Sequence, residues 1–135
     1  MLPEAELEAE SMSRMEPVVL CLDYPKDYGK TYGMNRLYAG VHWAQRKQAA
    51  AFWHTAVQAA LRRQGIRRKP FECPVIITFA WNDRLDLSNE AWAAKMIEDG
   101  LKGWVITDDS RKYVHGIRHT THGRKCIVVV VEPEE

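Results

Sequence analysis

The sequence predicts an α+β fold in which a small mixed sheet of about four strands is covered by two helices, in the order β-α-β-α-β-β. Three observations indicate this class. Four short segments are rich in β-branched and aliphatic residues, two longer segments carry apolar residues at helical spacing, and no segment repeats another. A length of 135 residues suits one domain with a terminal tail.

The first half of the domain contains a strand, a loop and a helix. Residues 17–24 (PVVLCLDY) are typical of a strand, and residues 25–40, which hold several glycines and tyrosines, predict a loop. From His42 to Arg63 the apolar residues recur every three or four positions, as on one face of a helix. Gly65 then predicts the end of that helix.

The second half contains another predicted strand and helix, followed by two final strands. Residues 72–81 (ECPVIITFAW) predict a strand, and a helix is expected from Ser88 to Leu101. Residues 113–121 and 125–133 predict two strands that form a hairpin around the turn 122–124.

The net charge of +1 conceals an uneven distribution. Residues 1–16 carry five glutamates against Arg14, a balance of −4, and we expect them to form a mobile acidic tail. Residues 17–131 hold 18 Lys and Arg against 10 Asp and Glu, a balance of +8. A domain of that charge favours a polyanionic partner such as DNA.

Several classes of protein are excluded by simpler features. No apolar run approaches the roughly 18–20 residues that a membrane-spanning helix needs, so we expect no membrane association. The N-terminus lacks a basic segment followed by an apolar one, as a secretory signal has. We therefore expect the protein to be cytoplasmic and not secreted. The three cysteines are odd in number and show no C-x-x-C spacing, which argues against disulfides and zinc.

The residues that indicate chemistry surround the second predicted helix. Asp86 precedes that helix and Asp108 and Asp109 follow it, so their carboxylates could meet and hold Mg²⁺ or Mn²⁺ through oxygen ligands. Lys95 lies two helical turns after Ser88, on the same face, and its ammonium is expected to lean toward the helix N-terminus. Two acids, a lysine and a basic surrounding suit metal-assisted hydrolysis of a phosphodiester.

The same residues allow an interpretation in which they only stabilise the helix. Ser88 would cap its N-terminus, Asp86 would interact with the positive end of the helix dipole, and Lys95 would pair with Asp99 one turn later. Spacing alone leaves both interpretations open.

Four segments of the chain resemble the RusA-type crossover junction endodeoxyribonucleases. They are RLDLSN, AAKMIEDGL and ITDDSRKYV, together with MNRLYAGVHWAQRKQAAAFW upstream. These are small homodimeric Holliday junction resolvases that are often carried by phages and prophages. The likeness covers roughly residues 17–132. It implies a RusA-like fold, a Mg²⁺ or Mn²⁺ cofactor, branched DNA as substrate, and action in the cytoplasm of a bacterial host.

The resemblance also implies roles for particular residues. Asp86, Asp109 and Lys95 would be catalytic, and the first two would hold the metal ion with help from Asp108. Asn89 matches the asparagine of the family's Asp-x-Asp-Asn motif. Ser88 and Asn89 would be accessory residues, and the contacts to DNA would come from Asn35, Arg36, Arg46, Lys47, Arg62, Arg63, Arg67 and Arg68.

Two departures from the family pattern affect the expected activity. Ser88 stands where the family usually has a second metal-binding aspartate, and the stretch Glu90–Ala94 makes the spacing to Lys95 longer than usual. Metal affinity is therefore expected to fall unless Asp108, Asp83 or Glu98 replaces the missing ligand. The alternative function is a DNA-junction-binding protein of the same fold that cuts weakly or not at all. A basic module for a partner other than DNA would explain the charge but not the paired acids.

Overall fold

A computed structural model describes residues 14–134, in which two long helices pack on one face of a sheet. The strands are β1 Val18–Leu22, β2 Val75–Trp81, β3 Val114–Thr121 and β4 Ile127–Pro133. The helices are α1 Tyr28–Tyr32, α2 Met34–Tyr38, α3 Trp43–Arg63 and α4 Ala91–Leu101, and a 3₁₀ turn, Leu87–Glu90, leads directly into α4.

The sheet is mixed, with the strand order β1-β4-β2-β3. Strand β4 runs antiparallel to both of its neighbours, whereas β3 runs parallel to β2 and is joined to it through α4. The predicted α+β class and the mixed four-stranded sheet are therefore confirmed. The layer that covers the sheet contains α3 and α4 as expected.

The predicted hairpin between the last two strands is wrong, because β2 lies between β3 and β4. The short connection 122–126 instead crosses the end of β2. It is held there by hydrogen bonds from the His122 amide to the Trp81 carbonyl (3.1 Å) and from the Asn82 side chain to the Arg124 carbonyl (2.7 Å). Strand β4, almost wholly aliphatic, takes the interior position, and the more polar β3 forms an edge, where one side faces solvent.

Element boundaries agree well for α3 and less well elsewhere. Helix α3 begins where His42 caps it, since the ring Nδ1 accepts a hydrogen bond from the Ala44 amide, and it ends before Gly65 at φ 69°. The predicted strands are shorter than expected. Residues 25–40, predicted to be a loop, contain α1 and α2. These separate at Gly33, where a Cβ would lie 2.8 Å from the Gly29 carbonyl oxygen.

One face of the sheet forms the core and the other is only partly covered. Side chains alternate along β1, β2 and β4, so that residues such as Ile77, Phe79 and Val129 are fully buried beneath the helices. On the opposite face Val19 is 54% exposed, and Val128 and Val130 are only partly buried. This second face therefore leaves apolar area available for contact with another molecule.

The predicted acidic tail, residues 1–16, lies mostly outside the described residues. Of its last three residues, Arg14 is attached to the domain: its guanidinium donates to the carbonyls of Lys69 (2.7 Å) and Arg67 (2.6 Å) and lies over the Phe71 ring. The chain therefore enters the domain beside the basic loop that follows α3.

Helices α3 and α4 approach closely at Gly100. A Cβ at this position would lie 2.9 Å from the Cβ of Val57, which is buried in α3. Overpacking of a core costs about 1–3 kcal/mol, and the better helix propensity of alanine returns about 1 kcal/mol. We therefore expect Gly100→Ala to lower the free energy of unfolding by on the order of 1 kcal/mol in urea denaturation.

The matched control is Gly123→Ala, since a Cβ there meets nothing within 4 Å and its φ is not positive. This variant should stay within about 0.5 kcal/mol of the wild type. Equal stability of Gly100→Ala and the wild type would mean that the two helices can separate at no cost.

Candidate functional site

Within residues 14–134, no side chain caps the 3₁₀ turn or the helix α4 that follows it. Asp86 begins the 3₁₀ turn and its carbonyl accepts from the Asn89 amide at 2.9 Å, but its carboxylate makes no capping hydrogen bond. Ser88 lies exposed within the turn, and the residue before α4 is Glu90. Of the interpretation in which these residues only stabilise the helix, the Ser88 cap is therefore wrong, whereas the pairing of Lys95 with Asp99 is confirmed at 3.2 Å.

Lys95 is the centre of a group of charged side chains at the far end of α4. Its ammonium contacts the carboxylates of Asp109, of Asp99 (3.2 Å) and of Glu98 (3.5 Å). Lys102 contacts Asp99 (3.0 Å) and Asp109 (3.1 Å). We call these five residues the Lys95 cluster. The ammonium thus leans toward the C-terminal half of α4, opposite to the predicted direction.

Charge and burial shift the pKa values within the Lys95 cluster. The contact with Lys95 holds the pKa of Asp109 well below its usual range, and the same contact raises the pKa of Lys95. Burial raises the pKa of Glu98, whose second carboxylate oxygen is buried and has no hydrogen-bond partner within residues 14–134. Asp109 and Lys95 are therefore both charged across the physiological pH range.

The structure brings together only some of the residues that the sequence analysis selected. Lys95 and Asp109, which are 14 positions apart, are in contact, and Glu98 shares the same ammonium. Asp86 and Asp108 are exposed and make no side-chain hydrogen bond or ion pair with residues 14–134. Asp83, considered as a replacement ligand, instead accepts hydrogen bonds from the Tyr24 hydroxyl (2.8 Å) and the Leu85 amide (2.8 Å).

The fit of these residues to a divalent metal ion is partial. Their carboxylate oxygens are the donors that Mg²⁺ prefers, and the unpartnered Glu98 oxygen is one such donor. Within the described part of the chain, however, no three side chains of His, Cys, Asp or Glu are grouped so that they could hold a metal ion.

A buried polar network beneath the 3₁₀ turn was not predicted. Glu90 is fully buried and accepts a hydrogen bond from the Tyr28 hydroxyl at 2.9 Å, while Tyr24 holds Asp83 and accepts from the Asn82 amide (2.7 Å). Burial raises the pKa of Glu90 to about 9, so its carboxyl is neutral at pH 7. The two tyrosines therefore fasten both ends of the segment that carries Asp86 and Ser88.

The predicted DNA-contacting residues are all exposed and form two groups at opposite ends of α3. The first basic patch comprises Asn35, Arg36, Arg46 and Lys47. The second basic patch comprises Arg62, Arg63, Arg67 and Arg68. At about 1.5 Å per residue, some 24 Å of helix separates Arg46 from Arg62. In the second patch Arg62 and Arg68 both lie over the ring of Trp104, at 5.4 and 5.3 Å.

Comparisons with known proteins add no family assignment: no family model matches this chain, and no curated protein or solved structure matches it. Across residues 14–134, none of the helices has the length and apolar character needed to cross a membrane. The interpretation of the site therefore depends on its own residues.

The buried Glu90 predicts a specific pH dependence of stability. Its pKa is about 9 in the folded protein and 4.5 in an ordinary setting, so between these values the folded state keeps a proton that the unfolded chain has lost. This group alone should lower the free energy of unfolding by about 1.4 kcal/mol per pH unit across that interval. Glutamine cannot ionise but can still accept from Tyr28. We therefore expect Glu90→Gln to match the wild type near pH 4.5 and to be more stable at pH 8.

Urea denaturation of both proteins from pH 5 to pH 8 measures this difference, with the exposed Glu16→Gln as the control. A stability difference between Glu90→Gln and the wild type that does not change with pH would contradict a neutral Glu90.

Proposed function

We propose that this protein is a metal-dependent endodeoxyribonuclease that binds four-way or other branched DNA and resolves it by paired symmetric nicks. The observation that carries the proposal is the contact between Lys95 and Asp109. The RusA-type resemblance assigns both residues to one active site, although they lie 14 positions apart in the sequence. Their contact supports that assignment, because residues 14 positions apart in the sequence need not lie together in the fold.

The proposal assigns roles on a phosphodiester to Lys95, Asp109 and Glu98 of the Lys95 cluster, and to Asp86 and Asp108 outside it. Asp109 and Asp86, assisted by Asp108, would hold Mg²⁺ or Mn²⁺, which when bound activates water and stabilises charge on the phosphate. Lys95 would neutralise negative charge that develops in the transition state. Its raised pKa keeps it protonated for that task. Glu98, buried beside Lys95 with one unpartnered oxygen, would add a ligand at the cluster end of α4.

The two basic patches would bind DNA on either side of the scissile phosphate. Their exposed Arg and Lys side chains are spaced along α3 widely enough to contact separate arms of a branched duplex. A homodimer suits the task, since a four-way junction must be cut at two symmetric positions. The partly covered sheet face that includes Val19, Val128 and Val130 supplies apolar area for such a dimer. The proposed setting is phage or prophage DNA in the bacterial cytoplasm.

Incubation with a synthetic four-way junction and Mg²⁺ or Mn²⁺ tests the function directly. Paired nicks at symmetric positions, visible on a denaturing gel, are the expected result. A linear duplex of the same arm sequence is the control and should remain intact. An intact junction in both metals would overturn the proposal of an endonuclease.

The second candidate function is a junction-binding protein that does not cut. Two observations favour it: both Lys95 and Lys102 already neutralise Asp109, and no metal-holding group of three side chains is assembled within residues 14–134. A junction that shifts on a native gel yet stays intact with metal would select this function.

Removal of the Asp109 charge separates cutting from binding. Asparagine keeps the shape of the side chain but is a poor metal ligand and cannot form an ion pair with Lys95. We expect Asp109→Asn to lower the rate of junction cleavage by at least about 10²-fold, while junction affinity is kept or increased because less negative charge faces the phosphates. Single-turnover cleavage and native gel shifts measure the two effects.

The control for this variant is Asp23→Asn, a change at an exposed carboxylate outside the Lys95 cluster. Wild-type cleavage by Asp109→Asn would remove Asp109 from the site.

The residue at position 88 tests the missing family ligand. Ser88 is exposed in the 3₁₀ turn and caps no helix, so Ser88→Asp should change the free energy of unfolding by no more than about 0.5 kcal/mol. An added carboxylate should raise metal affinity, and we expect cleavage at a lower Mg²⁺ concentration. An unchanged Mg²⁺ titration would mean that another acid already supplies the ligand or that no metal binds near this turn.

A further inference from the structure

We propose that a pocket between α1, α2, α3 and the first turn of α4 binds a single unstacked nucleobase of the DNA. The pocket has a volume of about 390 Å³, at the lower end of the range of about 300–1,000 Å³ that is typical of small-ligand sites. Three aromatic side chains, two amides and one guanidinium line it: Tyr32, Phe52, Trp92, Gln45, Gln48 and Arg36. This inference deepens the proposed function and depends on it for the identity of the strand that supplies the base.

The aromatic side chains form a rigid stacking surface. Tyr32 and Phe52 lie nearly parallel, with ring centroids 5.8 Å apart and an interplanar angle of 14°, and Trp92 packs on Tyr32 at 6.2 Å. Tyr32 is buried and packs edge-to-face against the ring of Trp53, whereas Phe52 is 43% exposed. A flat heteroaromatic ring can therefore extend this stack from the solvent side, as bases do on protein aromatics.

The polar side chains suit the edge of a base rather than an apolar ligand. Gln45 and Gln48 are one turn apart on α3, so both amides face the same side of the helix. Each amide offers a donor and an acceptor, and neither is engaged in a side-chain hydrogen bond with residues 14–134. Amides of this kind pair with the hydrogen-bonding edges of bases, which an unstacked nucleotide exposes.

The position of the pocket connects it to the proposed nuclease site. Helix α2, which carries Arg36, packs against the 3₁₀ turn Leu87–Glu90 and against α4, and Trp92 follows that turn by two residues. Arg36 in the wall and Arg46 and Lys47 nearby on α3 provide the positive charge that the phosphates beside the base require. Bases at a branch point lose a stacking partner, so the cost of unstacking them is low.

The test compares the binding of two labelled single strands of ten nucleotides in a buffer that contains EDTA. The strands are identical except that one carries an abasic residue at its centre. Both have the same phosphates, so charge alone binds them equally. We expect the wild type to bind the complete strand about tenfold more tightly than the abasic strand, the effect of one stacked base. Fluorescence anisotropy measures both affinities.

The variants place this preference in the pocket. Phe52→Ala, which removes the exposed ring of the stack, should bind the two strands with nearly equal affinity. Gln45→Ala should reduce the preference only in part, whereas Gln58→Ala, on a part of α3 outside the pocket, should keep it. Gln45 is exposed and Phe52 is 43% exposed, so both variants are expected to fold normally.

Each outcome decides between the pocket and the nuclease separately. Equal binding of both strands by the wild type, or a preference that survives Phe52→Ala, overturns the pocket proposal even if junctions are cleaved. A preference lost in Phe52→Ala and kept in Gln58→Ala upholds the pocket even if no junction is cut, in which case only the nuclease function fails. If Phe52→Ser halves the sedimentation mass and leaves the base preference unchanged, the surface joins two copies of the chain and the base proposal is wrong.

Discussion

The contact between Lys95 and Asp109 is the interaction on which the functional account depends. It joins α4 to the loop that precedes β3, and it gathers Asp99, Glu98 and Lys102 around the same point. The Lys95 side chain is 55% exposed, and exposed ion pairs contribute only about 0–1 kcal/mol to stability. We therefore expect the Lys95–Asp109 pair to add little to the stability of the fold, and its proposed role is in catalysis.

The fold brings the parts of the site together through one parallel crossover. The chain leaves β2, passes through the segment held by Tyr24 and Tyr28, forms α4, and returns to β3 beside β2. The close approach of Gly100 to Val57 fixes α4 against α3, and with it the two basic patches at the ends of α3 relative to the Lys95 cluster. Lys95, Glu98 and the predicted DNA-contacting residues of α2 and α3 thus lie on packed helices, whereas Asp109 lies on the loop before β3 and Arg67 and Arg68 follow α3.

The sequence was sufficient for features set by local pattern and insufficient for those set by partners distant in sequence. Helix α3 and its end at Gly65 were predicted because helical spacing and a glycine with positive φ are local signals. The hairpin was wrong because a short connection does not reveal that β2 separates β3 from β4. Glu90 was missed because an acid next to a helix normally lies at the surface, and its burial depends on Tyr28, 62 positions away. The predicted direction of the Lys95 side chain was wrong because its ammonium contacts three carboxylates. One of them, Asp109, comes from a loop that the helical pattern does not reveal.

The measurement that tests this account most directly compares cleavage with stability in Lys95→Met. Methionine keeps much of the length and apolar stem of lysine but removes the charge that contacts Asp109. The account predicts that single-turnover cleavage of a four-way junction falls by about 10²–10³-fold, while the free energy of unfolding changes by no more than about 1 kcal/mol. Cleavage at the wild-type rate, accompanied by a loss of several kcal/mol in stability, would contradict the account and make the Lys95 cluster a structural ion pair network.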